Sequence, residues 1–369
     1  MFFSVISVRS VVHRFAGLMS QNETGRVSII VPARNEEANI ERALRSLAAQ
    51  QGVREILIVD DQSEDRTLEI LEAMKAEIPL LRVLRIDSLP EGWLGKTYAV
   101  SIAAREAVGD WLLFTDADTE HLPGSLSALL ERAQREGADL LSLSPGQITP
   151  TWWEKAVIPL VYVNLARLYR FEDVSNPRSP AAAANGQYLL IRRGMYARVG
   201  GHQAVRNEIL EDVELAKRVK AAGGKVLFLP GAAWVQTRMY RTFGEMWAGW
   251  SKNLFLLYGR SLAKVSKALA ELCAVDLLPQ VFFLILLICL LSGRGSAIVL
   301  VGTLACLVVI MVRHTRYMRA VARLGFNSRV AAWRLEGATI LTALLINSVV
   351  AHRLSHHVDW KGRRYLIRG

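Results

Sequence analysis

Short apolar runs alternate with helical periodicity over the first third of the chain. The runs are rich in β-branched residues and apolar on both faces, which is typical of buried parallel strands. The four predicted strands are Val27–Val31, Glu55–Val59, Arg82–Ile86 and Trp111–Thr115. Apolar residues at helical spacing predict helices between them over roughly 36–50, 64–77 and 95–108. This succession predicts an α/β domain with a parallel, doubly wound sheet that binds ligands at the carboxyl ends of its strands.

Beyond residue 150 the pattern is less regular. Residues 151–171 predict a helix in which Trp, Tyr and Phe residues accompany Lys155, Arg167 and Arg170. This mixture is typical of a core helix and equally of a helix at a membrane surface. The other predicted elements are a loop over 174–186, a strand at Tyr188–Arg192, a helix over 211–222 and a strand at Lys225–Leu229.

The two ends of the chain carry apolar segments of another kind. In residues 1–25, valines at helical spacing predict an amphipathic interfacial helix rather than a signal peptide. Three apolar segments are predicted near the other end, over about 275–292, 296–312 and 337–351. The first two suit a membrane-spanning hairpin, whereas the third has only 15 charge-free residues and we expect that it does not cross fully.

The charge distribution separates a neutral body from a basic tail. The chain has 369 residues and a net charge of +11, and all of this excess lies in residues 260–369. A neutral body with a basic, apolar tail indicates contact with anionic membrane lipids rather than with nucleic acid. Arginines from Arg313 to Arg329 are expected in a loop after the hairpin, which predicts that this loop is cytoplasmic. The three cysteines all fall in the apolar tail and predict neither a disulfide framework nor a metal cluster.

Polar clusters follow the first two predicted strands. Residues 31–36 read Val-Pro-Ala-Arg-Asn-Glu, in which Pro32 ends the strand and Glu36 opens a helix. Residues 58–65 place Asp60 and Asp61 directly after an apolar strand, with Ser63 as a candidate cap for the next helix. Each cluster alone is compatible with a strand-to-helix turn or with the recognition of a base or ribose.

Two further acidic clusters point to chemistry. The buried fourth strand delivers Asp116 and Asp118 at its exit, one residue apart. Their like charges repel unless a cation lies between them, and Mg²⁺ or Mn²⁺ prefers such oxygen ligands together with substrate phosphates. Glu211 and Asp212 begin a predicted helix about 90 residues later. A carboxylate there can take a proton from a hydroxyl nucleophile, or it can serve only as a partner of the helix dipole.

Together these clusters resemble the motifs of the family 2 glycosyltransferases, which have a nucleotide-sugar-binding GT-A fold. The resemblance covers roughly residues 26–260, in the order and spacing of that family's motifs. Further stretches resemble its membrane-bound branch, which includes hopanoid-associated, carotenoid-acid and ceramide glycosyltransferases: Glu91–Thr97, Met239–Arg241, Gly249–Asn253 and Trp360–Tyr365. The resemblance therefore implies a GT-A domain over 26–260, a mostly parallel sheet and C-terminal membrane helices over 261–369.

The resemblance also implies a role for each motif residue. Asp60, Pro32, Ala33, Arg34 and Glu36 would hold the nucleoside, and Lys96 would lie near it or near the diphosphate. Asp116 and Asp118 would hold Mg²⁺ or Mn²⁺ on the diphosphate, with Asp116 also touching the donor. Asp212, or failing it Glu211, would be the base, and Arg241 would stabilise the leaving nucleotide. The implied reaction is inverting transfer from a nucleotide sugar, with a UDP-sugar favoured, to a lipid at the cytoplasmic face of the inner membrane.

One departure and three alternatives stay open. Related lipid and polysaccharide enzymes often carry Gln/Arg-x-x-Arg-Trp, whereas here Arg238 and Arg241 are followed by Thr242. This weakens the case for a processive polymer synthase. The alternatives are a polyprenyl-phosphate sugar transferase, a nucleotidyltransferase and a non-catalytic membrane scaffold. A nucleotidyltransferase should have a Gly-rich phosphate loop at the first strand, and Ala33-Arg34-Asn35 of this chain is not such a loop. A scaffold has no need for a repelling acid pair.

Overall fold

The computed structural model describes residues 26–355, 357–360 and 363–366. The predicted N-terminal interfacial helix lies outside these residues, as do residues 361 and 362 of the Trp360–Tyr365 stretch. The strands are β1 (Val27–Ala33), β2 (Val53–Asp60), β3 (Leu81–Arg85), β4 (Trp111–Phe114), β5 (Thr119–His121), β6 (Leu140–Ser144), β7 (Gly146–Gln147), β8 (Leu189–Arg192), β9 (Val226–Pro230), β10 (Val235–Thr237), β11 (His357–Trp360) and β12 (Arg363–Leu366).

The helices surround the main sheet and then form a separate apolar group. They are α1 (Ile40–Ala48), α2 (Thr67–Met74), α3 (Gly95–Glu106), α4 (Ser125–Arg135), α5 (Trp152–Leu168), α6 (Phe171–Ser175), α7 (Arg193–Arg198), α8 (Glu211–Ala221), α9 (Phe243–Leu257), α10 (Leu262–Glu271), α11 (Leu278–Leu291), α12 (Ala297–Arg323) and α13 (Arg334–Val350). A π-helical turn at Leu272–Leu277 joins α10 to α11, and another at Ala351–Ser355 follows α13.

The main sheet is mostly parallel, as the alternation of strands and helices predicts. Its strand order is β3-β2-β1-β4-β8-β6-β9, and β8 alone of these strands runs antiparallel to both neighbours. Helices α1, α2 and α4 cover one face, whereas α3 and α8 cover the other. The chain leaves β1 toward β2 on one side and later returns to β4 on the other. In such sheets, a crevice opens at the carboxyl ends of the two strands where the order reverses.

A small second sheet begins just after the turn that follows β4 and was not predicted. Its strand order is β5-β10-β7, with β10 antiparallel to β5 and parallel to β7. The strands contain only two or three residues each. Runs this short carry no readable alternation, so periodicity could not reveal them.

Helix α5 belongs to a core of its own. Its apolar residues pack with those of α9 and α13 in one buried cluster, which favours the core-helix interpretation of residues 151–171. A capping box between Thr151 and Glu154 begins the helix, and Glu154 also pairs with Arg238 at 2.9 Å. The end of β10 and the start of α5 are therefore joined directly.

Three helices are long and apolar enough to cross a membrane, by length and composition. They span Leu262–Leu291, Ala297–Arg323 and Ser328–Leu354. The first two are separated by a short connection and are largely unburied. In the third, 39% of the apolar window is buried. The expected basic loop after the hairpin is wrong, because Arg313, Arg316, Arg319 and Arg323 extend α12 without interruption.

The third segment is longer than its charge-free run predicts. Arg334, whose charge shortened that run, is buried and pairs with Asp276 of the first apolar helix at 2.7 Å. The other Asp276 oxygen pairs with Arg313 of the second at 2.9 Å. A charge that is neutralised by a partner does not end a helix, so counting charge-free residues underestimated its length.

Candidate active site

Hydrogen bonds join the turn after β1 to the loop after β2. Ser63 does not cap α2, contrary to expectation: its hydroxyl accepts a hydrogen bond from the Asn35 amide at 3.0 Å. Arg34 donates to the carbonyl oxygens of Asp61 and Gln62, at 2.8 and 3.1 Å. The Glu36 amide donates to Thr67 Oγ1 at 2.7 Å. Because these bonds hold residues 34–36 in a turn, α1 begins at Ile40 rather than near Glu36.

Asp60 ends β2 at the floor of the crevice, beside the last residues of β1. Its Cα pairs in register with Ala33, and Pro32 precedes this pair. The Asp60 side chain is only 3% exposed, yet its Oδ1 has no hydrogen-bond partner among the described residues. A buried carboxylate oxygen without a partner is costly, so this atom is poised to accept a hydrogen bond from a ligand.

Asp116 and Asp118 lie on a turn that both sheets hold. Ala117 between them is buried in the core, so its two neighbours face away from that core. On one side the Thr115 amide donates to Ile30 of β1, and on the other Thr237 Oγ1 of β10 donates to the Asp118 carbonyl at 3.2 Å. The two carboxylates therefore project from a fixed turn at the carboxyl end of β4.

Lys96 links this turn to the acids of α8. Its ammonium pairs with Asp116 at 2.9 Å and with Glu211 at 3.0 Å. Burial lowers the pKa of Lys96, but the charges of Asp116, Glu211 and Asp212 outweigh burial and hold its pKa well above the ordinary value. Residues that are about 115 positions apart in the sequence thus meet around one cation, as the motifs imply.

Asp212 is held at the start of α8 by two backbone donors. The amides of Gly186 and Val213 each donate to one of its carboxylate oxygens at 2.7 Å. Burial and the neighbouring Glu211 raise the pKa of Asp212, although Lys96 and these two amides oppose the shift. A carboxyl group with a raised pKa is a stronger base than an ordinary aspartate once it is ionised.

Gly186 is a site residue that the sequence interpretation missed. A Cβ atom at this position would lie 2.8 Å from Lys96 Nζ and 3.7 Å from Asp212 Oδ2. Only glycine lets the backbone amide approach Asp212 while leaving room for the lysine. Periodicity placed residues 174–186 in a loop, and the Asn-Gly pair just before an apolar strand was the one signal of a close backbone approach.

Arg241 lies beside the turn after β1 and is not paired with Asp116, Glu211 or Asp212. Its guanidinium donates to the carbonyl oxygen of Ala38 at 3.0 Å and to Asn39 Oδ1 at 2.5 Å. It therefore ties the start of α9 to the turn that follows β1. The Arg241 side chain is exposed beside this turn.

A cavity of about 150 Å³ opens beside Asp212. Tyr162 of α5 and Tyr169, which follows that helix, line the cavity, and α9 contributes Trp250, Asn253 and Leu257. Among the described residues that line this cavity, Asp212 alone is charged. The base candidate therefore borders an aromatic and aliphatic chamber formed with the helices that pack against α13.

The donor set at the end of β4 fits a divalent cation. Mg²⁺ and Mn²⁺ are commonly held by one or two carboxylates, with waters and substrate phosphates completing the shell. Asp116 and Asp118 supply two such groups on one rigid turn. No group of three or more potential ligands occurs within the described residues.

The sheet and the helices around it have the GT-A fold. Residues 28–200 match the family model described as "Glycosyl transferase family 2". The 4,4'-diaponeurosporenoate glycosyltransferase of Staphylococcus haemolyticus is 30% identical over 63% of this chain. The chain spans 61% of that relative's length. The enzyme of the same name from Staphylococcus aureus is 26% identical over 92% of this chain and 88% of its own.

A solved structure agrees on the fold. A mannosyltransferase from Pyrobaculum calidifontis, in complex with GDP-Man and Mn²⁺, superposes with a TM-score of 0.53 over 94% of this chain and 93% of its own. Its sequence is 16% identical to this chain. The architecture is therefore shared although little of the sequence is.

Proposed function

We propose that the protein is a metal-dependent, inverting glycosyltransferase that moves a sugar from a nucleotide-sugar donor to an apolar lipid acceptor. The observation that carries this proposal is the position of Asp212. It lies between a cluster of Lys96 and acids suited to a diphosphate and a chamber suited to a hydrocarbon. Most of the residues that line this chamber are aliphatic or aromatic, which suits a hydrocarbon better than a soluble sugar.

The donor side is supplied by the crevice between β1 and β4. Asp60 Oδ1 would accept a hydrogen bond from the base, and the loop that Arg34 and Glu36 fasten would shape the nucleoside pocket. Asp116 and Asp118 would hold Mg²⁺ or Mn²⁺, which when bound neutralises charge on the diphosphate. The Lys96 ammonium lies in this crevice, paired with Asp116. It would turn from Asp116 toward the diphosphate when the donor binds.

The acceptor side is supplied by Asp212. With its carboxylate held by two amides, it would take the proton of a nucleophile entering from the chamber. Attack on the face opposite the leaving nucleotide would invert the anomeric configuration. Glu211 pairs with Lys96 at 3.0 Å and is therefore the less available base.

The lining of the chamber favours a neutral lipid over a polyprenyl phosphate. A phosphate brought next to Asp212 would meet a like charge, and the cation beside Asp212, Lys96, is already paired with Asp116 and Glu211. A non-catalytic scaffold would give no role to the unpartnered Oδ1 of Asp60 or to the neighbouring carboxylates of Asp116 and Asp118. The nucleotide preference, with UDP expected first, is part of the proposal.

We further propose that the hairpin of Leu262–Leu291 and Ala297–Arg323 anchors the domain at the cytoplasmic face. Arginines 313–323 at the end of α12 would lie on that side by the positive-inside rule. Helix α13 instead packs along α5 and α9, and its following turn bonds to Lys252. Both of its ends therefore contact the domain, which favours a position against the domain at the membrane surface.

The test is a transfer assay with detergent-purified protein, labelled nucleotide sugars and a bacterial lipid extract. UDP-, GDP- and dTDP-glucose are compared with Mn²⁺, with Mg²⁺ and with EDTA, and label in the organic phase is measured. We expect one nucleotide to dominate, EDTA to abolish transfer, and a product of inverted configuration. Asp212→Asn should lower kcat by about 10²–10⁴-fold.

A matched control is Glu214→Gln, which removes an acid from the same helix that pairs only with Lys217 at its surface. It should transfer at the wild-type rate. Wild-type transfer by Asp212→Asn with normal donor binding would contradict the assignment of the base. A lipid fraction that stays unlabelled under every condition, from a folded protein that binds nucleotide, would contradict the lipid acceptor.

A further inference from the structure

Two polar atoms in the chamber beside Asp212 have no partner. They are Nε1 of Trp250 and Oδ1 of Asn253, both buried and both without a hydrogen bond among the described residues. The two residues lie three positions apart on α9 and therefore share a helix face, and both line the chamber. Buried N–H and C=O groups are normally paired, so a pair left open toward a cavity indicates a ligand that completes it.

The indole is held rigidly. Trp250 is 3% exposed and packs edge-on against Tyr162 and Tyr240, at ring-centroid distances of 6.3 and 6.2 Å. Helix α9 is itself fastened next to both residues, because Ser251 Oγ accepts a hydrogen bond from Asn347 Nδ2 of α13 at 2.7 Å. The open N–H thus points from a fixed place and can select a ligand by geometry.

A donor and an acceptor side by side complement a hydroxyl group. The oxygen of an alcohol can accept from Trp250 Nε1 while its O–H donates to a neighbouring acceptor. A carboxylate carries no proton to donate to Asn253 Oδ1 or to Asp212. Its charge would lie beside that of Asp212, and the cation next to Asp212, Lys96, is already paired with Asp116 and Glu211. The electrostatics of the chamber therefore favour an alcohol over an acid.

We infer that the acceptor is a long-chain apolar alcohol whose hydroxyl group is bound by Trp250 and Asn253 beside Asp212. This inference rests on the proposed function and names its acceptor class. In the bound alcohol the O–H donates to Asn253 Oδ1. During transfer the O–H turns to Asp212, the hydroxyl oxygen forms a bond to the anomeric carbon, and its proton passes to the Asp212 carboxylate. The bond from that carbon to the diphosphate breaks, and the nucleoside diphosphate leaves with the electron pair. The curated relatives are named for a carboxylic acid, so the inference separates this chain from them in acceptor chemistry.

The test uses geranylgeraniol and geranylgeranoic acid, which share one hydrocarbon chain and differ in the reacting group. Steady-state transfer from the preferred nucleotide sugar is measured for both with full-length protein in detergent. We expect the wild type to prefer the alcohol by at least about tenfold in kcat/KM. Trp250→Phe keeps the ring and removes the N–H, and it should lower kcat/KM for the alcohol about five- to tenfold.

The controls separate a binding role from a structural one. Trp247→Phe changes a tryptophan of the same helix that does not line the chamber, and it should leave kcat/KM unchanged. Asn253→Leu removes the acceptor for the hydroxyl and should lower alcohol transfer. Equal loss in Trp250→Phe and Trp247→Phe would show that packing alone matters and would overturn the inference.

The two proposals fail differently. Efficient transfer to the acid would overturn the alcohol assignment and leave the glycosyltransferase proposal intact. Transfer to neither compound, from protein that binds the nucleotide sugar, would overturn the lipid acceptor and the inference together.

Discussion

The ammonium of Lys96 lies between carboxylates that come from distant parts of the chain. Asp116 and the acids of α8 were predicted from the sequence because each directly follows a buried strand or begins a helix. Their meeting around Lys96 depends on Gly186, whose side chain is a single hydrogen. Residues with reactive side chains can be recognised in a sequence by their type. A glycine that is needed only because a side chain would not fit cannot be recognised in this way.

Gly186→Ala tests this position. The added methyl would lie 2.8 Å from Lys96 Nζ, and the flexible lysine would move away from Asp116 and Glu211. We expect folding to survive but kcat/KM to fall on the order of 10²-fold, because the charged groups lose their alignment. Transfer rates and thermal unfolding are measured together.

Gly194→Ala is the matched change, since a Cβ there meets nothing within 4 Å. It should leave both readouts as in the wild type. A Gly186→Ala protein with full activity would show that the lysine position has no bearing on the reaction.

The pH dependence follows from the environment of Asp212. Burial and Glu211 raise its pKa above that of an ordinary aspartate, so its base form is lost at a higher pH on acidification. We therefore expect kcat/KM to fall as pH drops through an apparent pKa well above 4 and to be constant on the alkaline side of it. A profile of kcat/KM against pH, with Glu214→Gln as control, measures this value. An apparent pKa at or below the ordinary aspartate range would exclude Asp212 as the group that titrates.

At the scale of elements, the predicted strands and helices of the sheet appear within a few residues of their places. The errors have one cause, which is contact between segments that are distant in sequence. Ser63 binds the turn after β1 instead of capping α2, and α1 begins late because that turn is held open. Arg334 continues a helix that its charge was expected to end, since Asp276 neutralises it. Local patterns cannot contain such partners.

Helix α13 touches α5 at Gly337. A Cβ there would clash with the carbonyl oxygen of Ala156 and lie 2.9 Å from its carbon, and backbone atoms cannot swing aside. Gly337→Ala should therefore force the two helices apart and destabilise the protein by about 1–3 kcal/mol, despite the higher helix propensity of alanine. Thermal unfolding in detergent measures the loss.

Gly302→Ala in α12 provides the comparison. Its Cβ would meet only the end of the Leu286 side chain, at 3.1 Å, which can rotate. We expect a change near zero or a small gain there. Equal melting temperatures for the two variants would show that the α5–α13 contact is looser than described.

At the scale of the whole molecule, a buried ionic cluster joins all three long apolar helices. Asp276 of the first pairs with Arg313 of the second and Arg334 of the third, at 2.9 and 2.7 Å. Glu271 extends the cluster to Arg167 at the end of α5, at 2.8 Å. The excess of basic residues in this region is therefore partly structural and not only a surface for anionic lipids.

Asp276→Leu would leave two arginines without their shared partner. Removing one member of a buried pair typically costs about 3–5 kcal/mol, because the remaining charge stays buried and uncompensated. We expect a large drop in the unfolding temperature in detergent. Glu72→Leu, which breaks the exposed pair with Lys75, should change it little. A small effect of Asp276→Leu would mean that water already reaches the two arginines.

The bonds between α9 and the last apolar helix have a practical consequence. Ser251 binds Asn347, the Phe255 amide donates to Ser348 at 2.9 Å, and the Lys252 carbonyl meets His352 at 2.8 Å. A chain cut after residue 260 would keep the nucleotide crevice but lose the wall that steadies Trp250 and Asn253. We would expect such a fragment to transfer the sugar to water rather than to a lipid. Removing the apolar helices to make the protein soluble also removes the contacts that select the acceptor.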